Sequence, residues 1–313
     1  MDEQGPAIKI MELTKSFGPM TAVDHLTLNI ERGELFGLVG PDGAGKTTTM
    51  RLLAGIMKPT SGEAFVSGHS ILREGERIKE KIGYMSQRFG LYEELSVIEN
   101  IHFYADLYEV PKRERSARIE RLLGFSNLTP FQDRFAGKLS GGMKQKLGLA
   151  CALIHTPEVL FLDEPTCGVD PVSRRDFWKI LYDLLKEKIT IFVSTAHLEE
   201  AERCTRIGLI HKGRLLTTDE PLQVKRSLGM PMVEIWTEDA RSARSAVETL
   251  AKMDGGRSVS IYGDRLHVAA ERDGVFDAIP QALRSRGIEM KGKREILPSL
   301  EDVFISRVKE GKE

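Results

Sequence analysis

Short apolar runs alternate with amphipathic stretches over about the first 225 residues, the pattern of an α/β domain in which helices cover buried strands. Ile8–Leu13, Thr21–Ile30 and Glu34–Val39 predict strands, the last running into a glycine-rich turn. Thr47–Ala54 predicts a helix closed by Gly55. From about Leu95 to Leu153 the spacing is mainly helical, with Ile98, Ile101, Ala105 and Tyr108 in register. The densely charged run Lys112–Arg121 within it predicts a solvated helix face. Val159–Asp163 and Thr190–Thr195 are apolar runs bounded by polar residues and predict buried strands.

The pattern changes near Pro221–Met230. Beyond it come a predicted strand (Met232–Trp236), a helix (Ser242–Met253) and two strands (Ser258–Tyr262 and Arg265–Val268). A helix (Val275–Arg286), a strand (Ile288–Lys293) and a last helix (Leu300–Val308) follow. The order βαββαβ resembles the split βαβ, ferredoxin-like arrangement of a small α+β domain. The expected division is therefore 6–228 and 229–313, with a helical subdomain at about 89–153.

Composition adds limits to this picture. The 313 residues are 41% hydrophobic and 29% charged, with a formal net charge of −1. No global positive field draws the chain to nucleic acid or anionic lipid, so no nucleic-acid partner is expected. Met1–Ala7 carries acidic residues and no apolar run, so no signal peptide is expected. No stretch approaches the roughly 20 apolar residues that a bilayer span requires. Cys151, Cys167 and Cys204 are odd in number and lack close metal-type spacing, and read as reduced thiols of a soluble cytoplasmic chain.

The sharpest chemical signal is Gly40-Pro41-Asp42-Gly43-Ala44-Gly45-Lys46-Thr47, which fits G-x-x-x-x-G-K-[ST] between an apolar strand and a helix. Glycines let successive backbone N–H groups point inward at phosphate oxygens. The following helix, starting near Thr47 and carrying Thr48, aims its positive end at the same anion. Lys46 supplies a full charge for the β- and γ-phosphates of ATP, and the Thr47 hydroxyl can ligate Mg²⁺. The run Val159–Asp163 ends in Asp163-Glu164. Asp163 can hold Mg²⁺ through coordinated waters, while Glu164 can polarise the water that attacks the γ-phosphate.

Between these motifs lies Leu139-Ser140-Gly141-Gly142-Met143-Lys144-Gln145, with Asp163 placed 21 residues beyond Gly142. The segment resembles the signature sequence of the ATP-binding cassette (ABC) family, and the chain is identified by it as a member. The resemblance implies a P-loop NTPase cassette that pairs head to tail with a second cassette, either another copy or a paired subunit. Ser140, Gly141 and Gly142 of one copy would then press on the γ-phosphate bound by the other. Phe17, 29 residues before Lys46, sits where the family places an aromatic ring against the adenine. Gln87, in Tyr84-Met85-Ser86-Gln87, matches the glutamine that touches Mg²⁺ and the attacking water. Gly168-Val169-Asp170-Pro171 resembles the loop that crosses the dimer interface, with Val169 in place of a more usual Leu. Met143 stands where many cassettes have Gln.

One departure concerns the switch histidine. The family usually reads Ser-Thr-His after its last core strand, whereas this chain reads Ser194-Thr195-Ala196-His197-Leu198-Glu199-Glu200-Ala201. In an extended segment a one-residue shift turns a side chain to the opposite face. Either a bulge returns the His197 imidazole to the γ-phosphate, or that contact is absent.

The stretch Ser86–Ser96 and the ending Pro298-Ser299-Leu300-Glu301-Asp302-Val303-Phe304 resemble ABC-2-type exporter subunits, including daunorubicin-resistance-like drug-efflux ATPases. Such a resemblance implies an ATPase that powers a separate integral-membrane permease for a drug or other hydrophobic substrate. The cassette would lie at the cytoplasmic face of the membrane, with Phe89, Leu91, Tyr92 and Leu95 as candidate floor residues of the permease groove. The alternative is a catalytically weak partner cassette with a regulatory role. A soluble cassette acting on ribosomes or DNA is disfavoured, because the chain has neither a second cassette with a charged linker nor long coiled coils.

Overall fold

The structure, a computed structural model, describes residues 5–87, 90–239, 243–245, 247, 256–262, 265–270 and 274–310. Contacts divide the chain into two compact units, after Thr218.

In the first unit, strands β1 (Ile8–Phe17) and β2 (Met20–Ile30) pair antiparallel. With β4 (Ser61–Val66) and β5 (His69–Ser70) they form a four-stranded sheet of order β2-β1-β4-β5. A second sheet joins β3 (Leu35–Val39), β6 (Ile82–Met85), β7 (Val159–Asp163), β8 (Thr190–Thr195), β9 (Arg206–His211) and β10 (Arg214–Asp219) in the order β10-β9-β3-β8-β7-β6. The pairs β6/β7, β7/β8, β3/β8 and β3/β9 are parallel. Every residue of β3, β7 and β8 is buried, as their continuous apolar runs predict for strands covered on both faces. Phe36, Phe161 and Phe192 meet in the core at centroid distances of 5.6 and 5.7 Å.

Helix α1 (Lys46–Leu53) follows the glycine-rich turn, and α2 (Gly75–Lys81) precedes β6. The helical section comprises α3 (Val97–Leu107), α4 (Lys112–Ser126) and α5 (Gly141–Leu153). Ser96 starts α3 with a capping box: its Oγ accepts from Glu99 N at 3.3 Å, and its own N–H donates to Glu99 Oε2 at 2.7 Å. The charged run lies on α4, which buries Ile119, Leu122 and Leu123 on its other side. Helices α6 (Pro171–Lys186) and α7 (Leu198–Ala201) flank β8.

The second unit opens with α8 (Pro221–Arg226), followed by β11 (Met232–Thr237), β12 (Gly256–Tyr262), β13 (Arg265–Ala270), α9 (Gly274–Arg284), β14 (Met290–Ile296) and α10 (Leu300–Glu310). The four strands are antiparallel in the order β12-β13-β11-β14, which interleaves the first and last strands as a split βαβ arrangement does. The helix expected at Ser242–Met253 falls largely outside the described residues, of which Ala243–Ser245 and Val247 are helical. The strand expected at Ile288–Lys293 begins later, at Met290. Gly287, at φ 72°, ends the helical stretch, and Ile288 N bonds back to Leu283 O at 3.0 Å, so Ile288 belongs to the helix end.

One face of this sheet packs Val233, Ile235, Leu266 and Val268 against Ile279 and Leu283. The opposite face carries a buried polar cluster. His267 Nδ1 lies 3.1 Å from Asp302 Oδ2, and its Nε2 lies 3.4 Å from Glu234 Oε1. Arg265 and Arg294 pair with Glu234 at 3.0 and 2.8 Å. The Asp302 hydrogen bond holds His267 above the usual imidazole range. Burial alone would raise Asp302, but bonds from His267 and Ser299 outweigh it and leave the carboxyl below its usual range. A raised histidine stabilises the fold below its unfolded value and loses that contribution as pH rises through the folded one, whereas a depressed carboxyl loses its contribution as pH falls. The second unit is therefore expected to resist urea best between about pH 4 and 6.5 and to weaken as pH rises above that window. Trp236 fluorescence in a Trp178→Phe background would follow this, and His267→Gln should flatten the alkaline side of the profile.

Candidate active site

The chain leaves β3 at Val39, curls through Gly40–Gly45 and enters α1 at Lys46. Gly40 N donates to Thr195 O at 3.2 Å, which seats the curl on the end of β8. A Cβ on Gly40 would lie 2.2 Å from Ile210 O, and one on Gly45 would lie 2.2 Å from Ala22 O. Gly45 also has φ 104°, a conformation that side-chain-bearing residues avoid. Inside the curl Lys46 is only 4% exposed. Its Nζ donates to Gly40 O at 2.7 Å and Pro41 O at 3.1 Å, and pairs with Glu164 Oε1 at 3.1 Å.

Strand β7 delivers the two carboxylates. Asp163, 2% exposed, accepts at Oδ1 from Thr47 Oγ1 at 3.0 Å and Ser194 Oγ at 2.7 Å. The Tyr84 hydroxyl reaches Oδ2 at 3.5 Å. Burial, and then the Asp163 charge, push the Tyr84 phenol up to about 12, so it stays a neutral donor. Glu164 has φ 48°, left-handed for a residue with a side chain, a strain of about 1–3 kcal/mol that clusters at functional positions. Its N–H donates to Ser194 Oγ at 3.0 Å, and Gln87 Nε2 donates to its Oε2 at 3.2 Å.

These groups border a cavity of about 610 Å³. Asp42, Gly43, Ala44, Gly45, Lys46, Thr47 and Thr48 line one side, and Phe17, Gln87, Glu164, Ala196 and His197 complete it with Met20, Ala22 and Cys167. Gly40, Pro41 and Asp163 stand behind the lining and act on it through Lys46 and Thr47. Phe17 is 44% exposed at the rim. Strand β8 ends at Thr195, whose Oγ1 accepts from His197 N at 2.9 Å. A turn, neither strand nor bulge, thus carries Ala196 and His197, and both reach the cavity. Sequence reasoning did not single out Ser194, Tyr84 or Met20. The polar pair Ser194-Thr195 closing an apolar strand was the available signal.

The ABC transporter family profile matches residues 23–167. The chain is 41% identical over 300 residues to the probable multidrug ABC transporter ATP-binding protein YbhF of Escherichia coli K12, covering 95% of this chain and 51% of that one. It thus spans about half the length of that relative. It is 33% identical over 303 residues to the daunorubicin resistance ATP-binding protein DrrA3 of Streptomyces coeruleorubidus, covering 96% of this chain and 95% of that one. The chain belongs to the ABC transporter family of ATP-binding proteins. A solved dimeric cassette in a post-hydrolysis state, bound to ADP and Pi, superposes with a TM-score of 0.62 at 26% identity, covering 68% of this chain and 98% of that one.

In this ABC cassette Ser140, Gly141, Gly142 and Asp170 are not among the residues lining the cavity. Ser140 caps α5, its Oγ accepting from Met143 N at 3.3 Å. Asp170 caps α6 by accepting from Val172 N at 3.1 Å and Ser173 N at 2.9 Å, and the bonds from Ser173 hold its carboxyl below the usual range. A Cβ on Gly142 would lie 2.5 Å from Ser173 Cβ, so glycine lets α5 approach the first turn of α6. The four residues therefore share one patch. Among the described residues no helix is long and apolar enough to cross a membrane.

The exposed ring at the rim yields a direct expectation. Stacking a base on an aromatic is worth about 1–3 kcal/mol, so Phe17→Ala should weaken ATP binding by about tenfold, measured by calorimetric titration. Phe17→Trp should retain wild-type affinity.

Proposed function

We propose that this cassette binds and hydrolyses ATP to drive a separate integral-membrane export permease, working as a head-to-tail pair. The observation that carries the catalytic part is Glu164, turned off its strand into the cavity beside Lys46 and Gln87. ATP would stack its adenine on Phe17 and lay its phosphates in the curl Gly40–Thr48. Lys46 then exchanges its pairing with Glu164 for the β- and γ-phosphates, which releases the carboxylate to take a proton from the attacking water.

Mg²⁺ fits the donors present: the Thr47 hydroxyl and Asp163 Oδ1 are hard oxygens 3.0 Å apart, with the Gln87 side chain on the same cavity. Held there, Mg²⁺ would neutralise charge developing on the phosphate oxygens. His197, on the cavity wall, is the candidate γ-phosphate switch. The patch of Ser140, Gly141, Gly142 and Asp170 would close on the nucleotide of the second cassette.

Export, and a drug-like or other hydrophobic substrate, rest on the relatives named for multidrug and daunorubicin resistance. The permease surface rests on an apolar patch after Gln87. Tyr92 and Phe103 are 45% and 36% exposed, with ring centroids 4.5 Å apart, and Leu91 and Leu95 are half-buried beside them. Phe89 lies outside the described residues. Docking there would hold the cassette at the cytoplasmic face of the membrane. The tail, about 229–313, would act as an accessory α+β domain. A catalytically weak partner cassette is the second reading, favoured by Ala196 in the usual histidine position.

Replacing Glu164 by Gln separates the two. On the first reading Glu164→Gln lowers steady-state ATP hydrolysis by about 100-fold or more and leaves ATP binding intact, trapping an ATP-bound dimer visible by size-exclusion chromatography. Equal, negligible rates in wild type and variant would favour the second.

A further inference from the structure

Glu200 is a buried carboxylate, 1% exposed, that the hydrolysis scheme leaves without a role. An ionised group so placed is costly unless neighbours satisfy it. Here they come from three separate segments. Oε2 accepts from Thr195 Oγ1 at 2.8 Å. Oε1 accepts from the Thr166 hydroxyl and lies 3.6 Å from Arg174 Nε.

Each partner leads to a functional group by one short step. The Thr195 hydroxyl that donates to Glu200 also accepts from His197 N at 2.9 Å, and Glu200 N donates to His197 O at 3.0 Å. Thr166 follows Glu164 by two residues, and its carbonyl accepts from Val169 N at 3.3 Å, next to Asp170. Arg174, on α6, donates through Nη2 to Val169 O at 3.4 Å. One carboxylate thus fastens the His197 turn on one side and the Glu164–Asp170 loop on the other.

We propose that Glu200 is a positioning residue, the clamp that makes the His197 turn and the Glu164–Asp170 loop move as one piece. It is not itself among the residues lining the cavity and acts only through the groups it holds. The proposal rests on the hydrolysis reading above. Its consequence is that the loop bearing Asp170 at the dimer patch cannot shift without carrying Glu164 and His197 with it.

The test is steady-state hydrolysis of MgATP by the full chain, with Glu164→Gln as the zero reference. Glu200→Ala is expected to lower kcat by about 100-fold, as a misplacement of about 1 Å does, with KM for ATP near the wild-type value. Thr166→Val and Thr195→Val keep side-chain volume and remove only the hydroxyls, so they report on the clamp even if Glu200→Ala fails to fold. Each should lose kcat without a change in KM, and Thr166→Ser and Thr195→Ser should recover it. Wild-type kcat in the valine variants overturns the proposal, as does a loss that serine does not rescue. Wild-type turnover no faster than Glu164→Gln instead overturns the hydrolysis reading on which the clamp depends.

Discussion

A single buried charge organises the site. Asp163 ends β7 almost wholly out of water, where an unpaired carboxylate is not tolerated, so hydroxyls must be brought to it. Thr47 comes from α1, Ser194 from β8 and Tyr84 from β6. Satisfying this one group therefore fixes the phosphate loop, the neighbouring strand ends and the start of the glutamine segment together. The same Ser194 hydroxyl accepts from Glu164 N, so the neighbouring carboxylate shares that anchor.

The strand order explains why these segments meet. β3, β8, β7 and β6 are consecutive neighbours in a parallel sheet, and their carboxyl ends lead to Gly40, Thr195, Asp163 and Gln87. Ligand crevices in open α/β sheets lie at such ends, where successive loops diverge. The loop after β7 is then held from two sides by buried contacts. Gln145 of α5 donates through Nε2 to Pro165 O, and Thr166 donates to Glu200. Gly142 lets α5 lie against α6 at Ser173, three residues past Asp170. Helix α5 thus touches both the loop after β7 and the first turn of α6.

The second unit is built differently. One face of its sheet is an apolar core, while the other buries Glu234, His267 and Asp302, with Arg265 and Arg294 also pairing with Glu234. Trp236 lies over Gly292, and the guanidiniums of Arg265 and Arg294 are each 5.2 Å from its ring. Such a face gains its specificity from paired charges, which makes it sensitive to pH in a way the apolar face is not.

Much of this was legible before any coordinates. Continuous apolar runs announced β3, β7 and β8, because strands covered on both faces are mostly apolar and keep polar residues to their ends, and the spacing of Gly40, Gly45, Lys46 and Thr47 announced the phosphate loop. The strands β4, β5, β9 and β10 and the helix α6 were not read, since they are short, half-exposed or mixed in pattern and draw their stability from neighbours remote in sequence. His197 shows the limit most clearly. Counting residues along an extended strand left its direction open, and the turn closed by the Thr195 hydroxyl decided it. Local sequence determined where a glycine-rich phosphate loop could form and which carboxylates could follow β7. Only the tertiary structure brought Ser194 and Tyr84 to Asp163, and Thr166 and Thr195 to Glu200, because a buried polar group selects partners by distance in space and not by separation along the chain.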